Sequence, residues 1–198
     1  MIDLVGIATV SITLFAVIDM IGNIPLILKL RGEHGHINSV KGSVISAVIM
    51  ILTLFSGKTI FNLLGIETYH FALAGSFLII YFGIKMVLDI SDSDSSKKQA
   101  SNVTIFPIVF PLISGPGTLS TIMSMRNEFG DTTIIFGILI NALVIFIVLK
   151  SASWIKKLLG NMGLILIERV FGIILIAIGM KMLIYSLIMS INEVIHFI

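Results

Sequence analysis

Two clusters of residues in this chain have types and spacing suited to chemistry, and each interrupts an apolar run. Asp19, Gly22, Asn23 and Pro25 break the stretch from Leu4 to Leu30. Pro111, Ser114, Gly115, Pro116 and Gly117 break the stretch from Val103 to Met125. A helix in lipid must satisfy its own backbone. Unwound backbone at that depth is tolerated where it is buried in protein or lines a cavity. Each proline removes an amide donor and disfavours helix in the residue before it. A second half-helix can start at Pro25, with Asn23 or Ile24 just before it. Another can start near Gly117, with Thr118, Ser120 and Thr121 in its first turn. The unpaired amides and positive end of such a half-helix suit a carboxylate or another small anion.

Asp19 is the one acid read as lying well inside a membrane span. A charge there costs roughly 2.5–3.5 kcal/mol on insertion scales, so it needs a partner or water. It can hold a substrate ammonium, carry a proton, or help bind Na⁺ beside freed carbonyls. A coupling cation, Na⁺ or H⁺, is therefore expected near it. The structural alternative is that Asp19 only caps amides freed by the break, or lies near the inner interface. Ser46, Thr121 and Asn141 are candidates to line the cavity. For Asn141 and Ser46 the structural alternative is a hydrogen bond between helices.

Other signals point to no enzyme. There is no His-Glu-x-x-His, and Gly115-Pro116-Gly117 lacks the Gly-Lys-Ser/Thr of a phosphate loop. Glu33, His34 and His36 suit zinc by type, but neighbours in one short loop read better as solvated. Asp92-Ser93-Asp94 lacks the glycine and closing glutamate of a calcium loop. No metal site or cofactor is expected.

Elements long enough to span a bilayer must hold these clusters. Of 198 residues, 57% are hydrophobic and 12% charged, against about 25% charged in a soluble domain. The mean hydropathy is +1.10. Apolar runs fall at about 4–30, 42–57, 68–90, 103–125, 133–149 and 166–190, near the length of about 20 residues that crosses a membrane. The chain reads as an all-α integral membrane protein with six transmembrane helices, the first and fourth broken. Trp154 among lysines reads as an interfacial anchor. A cleaved signal peptide is not expected, because Asp3 stands where a basic residue belongs. Cysteine is absent, which excludes disulfides and thiol chemistry. No basic stripe suggests nucleic acid.

Ten of the thirteen basic residues fall on one side of this arrangement. The positive-inside rule places the odd-numbered connections in the cytoplasm and both termini outside a cell membrane. The halves repeat. Ser56-x3-Ile60-x2-Leu63-Leu64-Gly65 reappears as Ser151-x3-Ile155-x2-Leu158-Leu159-Gly160, and Gly83-Ile84-Lys85-Met86 as Gly179-Met180-Lys181-Met182. Residues 1–90 form one three-helix repeat, 91–102 a cytoplasmic linker and 103–198 the second repeat. An odd number of helices per repeat inverts the second copy across the membrane. Broken helices in corresponding places of two repeats point to a transport site.

Asp19-x-x-Gly22-Asn23-x-Pro25 and Phe110-Pro111-Leu112-Ile113-Ser114-Gly115-Pro116-Gly117 resemble the two signatures of the MarC family of inner-membrane proteins. The resemblance covers essentially the whole chain. Met20 stands where the family commonly has proline. The family is grouped with the LysE-like amino-acid exporters, and one branch is described as transporting small neutral amino acids. The resemblance thus implies a small zwitterionic substrate such as glycine or alanine. It would bind at Asp19, Gly22, Asn23, Pro25, Ser114, Gly115, Pro116, Gly117 and Thr118. An ion or water channel, in which the breaks form a filter, and a membrane scaffold without flux are the rival readings.

Overall fold

Helix boundaries in this chain follow from its capping residues. In a computed structural model, which describes residues 3–20, 22–34, 37–88 and 104–197, Asp3 caps α1 (Leu4–Ile18) by accepting the Gly6 amide at 2.9 Å. The helix stops at Asp19, whose backbone turns left-handed with φ 47°. After the break, α2 runs from Ile24 to His34. Asn38 caps α3 (Ser39–Leu64) through the Lys41 amide, and Gly65 ends it at φ 63°. A reciprocal Glu67–His70 capping box opens α4 (Thr68–Val87). A π-helical segment, Thr104–Ile113, leads into the second break. Pro116 at the first helical position then starts α5 (Pro116–Met125), where its missing amide costs nothing. The last element, α6 (Asp131–Phe197), bends at Gly160, again with φ 63°.

All regular structure among the described residues is helical. Four stretches are long and apolar enough to cross a membrane: Ser39–Leu64, Thr68–Val87, Asp131–Ala152 and Ile165–Glu193. Leu52, Phe77, Leu143, Leu166 and Ile173 are exposed along them. Outward apolar side chains on this scale mark a surface covered by something other than water. The core gathers Val10, Leu14 and Ile18 of α1, Met50 and Leu54 of α3, Ile113 and Ile122 around the second break, and Ile134, Ile138 and Ile145 of α6.

Small residues let the backbones approach, as is usual where no water drives helices together. A Cβ on Gly75 of α4 would stand 2.8 Å from Pro116 Cδ. The α4–α6 contact has a regular pattern. A Cβ on Gly83 would meet Ile176 Cγ1 at 2.7 Å and the Gly172 carbonyl at 2.8 Å. One on Gly179 would meet Ile80 Cγ1 at 2.6 Å and the Ser76 carbonyl at 3.2 Å. Adding 96 to Gly83, Ile80 and Ser76 gives Gly179, Ile176 and Gly172. The two sets of contacts are therefore exchanged copies of each other. Where α4 begins and α6 nears its end, the Tyr69 hydroxyl donates to the Glu193 carboxylate.

The side chains of Glu33, His34 and His36, and the linker at 91–102, lie outside the described residues.

Candidate functional site

The first break closes largely on itself. Asp19 Oδ1 accepts the Gly22 amide at 3.2 Å, and its carbonyl accepts the Asn23 amide at 3.0 Å. The Asn23 side-chain amide turns back to the Ile18 carbonyl at 2.9 Å. That carbonyl belongs to the last turn of α1, where no helical donor follows. Gly22 fits because the Asp19 carboxylate occupies the space a side chain would need, with Cγ 2.8 Å from an ideal Cβ. Gly22, Asn23 and Pro25 are buried, and Asp19 is half-buried. Asp19 thus serves as a cap in this conformation.

The second break is built differently. Ser114 donates from its amide to the Val109 carbonyl at 2.8 Å and from its hydroxyl to the Ser46 carbonyl on α3 at 3.4 Å. The Thr118 hydroxyl donates to the Ile113 carbonyl at 2.8 Å. Thr121 and Ser120 turn back onto the Gly117 carbonyl at 2.8 and 3.0 Å. Gly115 is the N-cap of α5 and supplies no side-chain acceptor. The first-turn amides of Gly117 and Thr118 have no intrahelical acceptor either, as at any helix start. Ser114, Gly115, Pro116 and Thr118 are buried. The start of α5 is enclosed by α1, α3 and α4. Val17, two residues before Asp19, is the nearest atom source to Gly117: its Cγ1 lies 3.7 Å from an ideal Cβ there.

Ser46 and Asn141 meet backbone rather than each other. Ser46 donates to Gly42 at 2.8 Å within α3. The Asn141 amide bridges the Ser11 carbonyl of α1 at 3.0 Å and the Gly137 carbonyl at 2.9 Å. Both side chains are buried.

One group of buried charges departs from expectation. Glu168, near the start of the apolar stretch Ile165–Glu193 and beside Arg169, is buried against the protein. Lys29 belongs by sequence to the basic connection after the first helix. It is buried within α2 instead, and its Nζ donates to the Lys85 carbonyl on α4 at 3.3 Å.

Comparison with known proteins agrees with the family resemblance. The family model for the MarC family integral membrane proteins matches residues 4–191. The chain belongs to the MarC family. Among its relatives is the UPF0056 membrane protein YhcE of Escherichia coli (strain K12), 26% identical over 87% of each chain. A UPF0056 membrane protein of Pyrococcus abyssi (strain GE5 / Orsay) is 28% identical over 89% of this chain and 92% of its own. One from Buchnera aphidicola subsp. Schizaphis graminum (strain Sg) is 26% identical over 87% of both. No solved structure matches. The MarC assignment and the four apolar helices together identify an integral membrane protein.

Proposed function

We propose that this MarC protein is a secondary transporter of small neutral amino acids, with glycine- or alanine-like zwitterions as substrates. The observation that carries the reading is the start of α5. Its first turn is buried between three helices, begins at a glycine that offers no cap, and presents amides where a carboxylate can bind. Asn23 and the Asp19 carboxylate stand at the neighbouring break, where the carboxylate can serve the substrate ammonium or a coupling Na⁺ or H⁺. Small residues at both breaks suit a small substrate.

In this reading α1 with α2, and the π-helical segment with α5, are two interrupted spans. With the four long stretches they make six, arranged as two inverted three-helix repeats. The exchanged contacts of Gly83 and Gly179 support a two-fold relation between α4 and the second half of α6, because such an axis makes residue i meet j and the copy of j meet the copy of i. Gly65 and Gly160, equivalent in the repeat, both take φ 63°. The basic residues favour the cell membrane with both termini outside.

The test is binding and flux of the purified chain. Glycine or alanine should raise its melting temperature, and labelled alanine should exchange across proteoliposomes in a saturable manner. Gly117→Val should abolish both by crowding the entrance to α5. A unitary conductance without exchange would identify a channel instead. Neither binding nor flux would leave a structural membrane component.

A further inference from the structure

Lys181 and Tyr185 stand one turn apart on α6, inside the apolar stretch Ile165–Glu193. Residues four apart share one helix face. Both side chains are exposed, as are Ile184 and Ile188 beside them. Gly179, two residues before Lys181 and so on the far side of the helix, packs against Ile80 of α4. The face of Lys181 and Tyr185 therefore points to lipid. Neither polar group has a hydrogen-bond or ionic partner among the described residues. Lys85, the repeat counterpart of Lys181 at an offset of 96, is by contrast half-buried and engaged within the chain. The stretch has 29 residues, about 43 Å of helix against a hydrocarbon core of about 30 Å. Glu193 ends it about 18 Å beyond Lys181. With the excess length shared between both ends, Lys181 sits about 11 Å below the surface of the core. A charge at that depth is costly unless it finds a partner or snorkels to the interface.

We infer that Lys181 and Tyr185 bind the phosphate of an anionic phospholipid in the leaflet reached by the C-terminal end of α6. Lysine lays its apolar stem along the helix and carries the ammonium toward the headgroups. Tyr185, one turn nearer that surface, brings a hydroxyl donor on an apolar ring, the residue type that suits the interface. The pair thus offers a point charge and a neutral donor to one phosphate, while Ile184 and Ile188 flank the acyl chain. An anionic lipid is preferred because the phosphate of a zwitterionic one already has its own cation. A second copy of the chain is a poorer occupant. Copies inserted the same way round keep each residue at its own depth. The exposed acids among the described residues, Asp3, Glu67 and Glu128, lie at helix ends or between helices, not at the depth of Lys181. The inference needs only the membrane assignment and stands apart from the transporter reading.

The experiment uses the full chain in a mild detergent and follows its melting temperature as phosphatidylglycerol, phosphatidylcholine or inorganic phosphate is added. Phosphatidylglycerol should stabilise the wild type at lower concentration than phosphatidylcholine, and inorganic phosphate should have no effect. Lys181→Gln should bind phosphatidylglycerol about tenfold more weakly, as expected for losing a hydrogen bond between charged groups. Tyr185→Phe should lose about threefold, the effect of one neutral donor. Lys181→Arg should keep the wild-type affinity. So should Lys58→Gln, which removes an exposed lysine from α3 and controls for overall charge. Tyr185→Phe keeps both the charge and the ring, and carries the test should Lys181→Gln fail to fold. Unchanged affinity in Lys181→Gln and Tyr185→Phe, or an equal loss in Lys58→Gln, overturns the inference. Stabilisation by inorganic phosphate overturns it in favour of a free-anion site. Dissociation of a dimer by Lys181→Gln without a change in lipid affinity overturns it in favour of a second copy.

Discussion

Substituting alanine at Gly115 and at Gly117 makes the same chemical change two residues apart, and the structure gives it opposite consequences. Gly115 has φ −81° and ψ 179°, an extended conformation that any residue adopts, so alanine carries no backbone penalty there. Its Cβ, however, would stand 3.0 Å from the Pro111 carbonyl carbon and closer still to the oxygen. The obstacle is backbone, which cannot rotate away as a side chain can. Overpacking of this kind costs about 1–3 kcal/mol. At Gly117 the nearest atom is Val17 Cγ1 at 3.7 Å, an ordinary contact. Alanine there also favours helix, by up to roughly 1 kcal/mol over glycine. The two variants should therefore differ by about 1–4 kcal/mol, with Gly115→Ala below the wild type and Gly117→Ala at or slightly above it. Thermal unfolding of both proteins in one detergent, followed by circular dichroism, reads the difference. Equal midpoints would refute the tight return of the chain at Pro111–Gly115 on which the second break depends.

Three further outcomes follow from particular contacts. Asp19→Asn should keep the fold, since an amide oxygen can still accept from Gly22 and asparagine tolerates the left-handed turn; Asp19→Ala should lose about 1–2 kcal/mol with the cap. If Asp19 serves the coupling cation, Asp19→Asn should also lose Na⁺ or pH dependence of uptake at matched yield, and unchanged dependence would confine Asp19 to capping. Asn141→Leu removes the bridge from α6 to the Ser11 carbonyl, a loss of about 0.6–1.7 kcal/mol for a membrane hydrogen bond, and an unaltered melting curve would mean the bridge contributes nothing. Ser95→Cys, in a chain without native thiols, should react with an impermeant reagent only after the cells are opened; labelling from outside would reverse the orientation.

Both breaks are legible in the sequence because proline and glycine act locally. Pro25 and Pro116 set half-helix starts, and Gly65 and Gly160 mark a helix end and a kink. The helix limits are likewise local, fixed by Asp3, Asn38 and Glu67 as caps. Packing is not local. Lys29 looks like a loop cation because its burial depends on Phe82, Lys85 and Met86, more than 50 residues away. The π-helical winding of Thr104–Ile113 has no simple periodic signature either. Two prolines lie within it, and the Ser114 amide reaches five residues back to Val109.

In the proposed inverted repeat the two breaks are equivalent, yet the residues at equivalent places differ, and that difference distinguishes the two sides of the proposed site. At an offset of 92, Asp19 corresponds to Pro111, Gly22 to Ser114, Asn23 to Gly115 and Pro25 to Gly117. The first set contains a carboxylate and a carboxamide, and both are used to satisfy freed backbone at 3.2 and 2.9 Å. The second set puts proline and glycine at those places. Neither offers a side-chain group that could cap the amides of Gly117 and Thr118. Hydroxyls are present, and those of Ser114 and Thr118 donate to carbonyls. Freed carbonyls are thus covered at both breaks, while proline and glycine give the amides at the head of α5 no side-chain cap. The proposed transport reading therefore puts an anionic group at the second break and a cationic one at the first. On that proposal a zwitterion would lie between them, carboxylate toward Gly117 and ammonium toward Asp19, the smallest molecule that carries both charges.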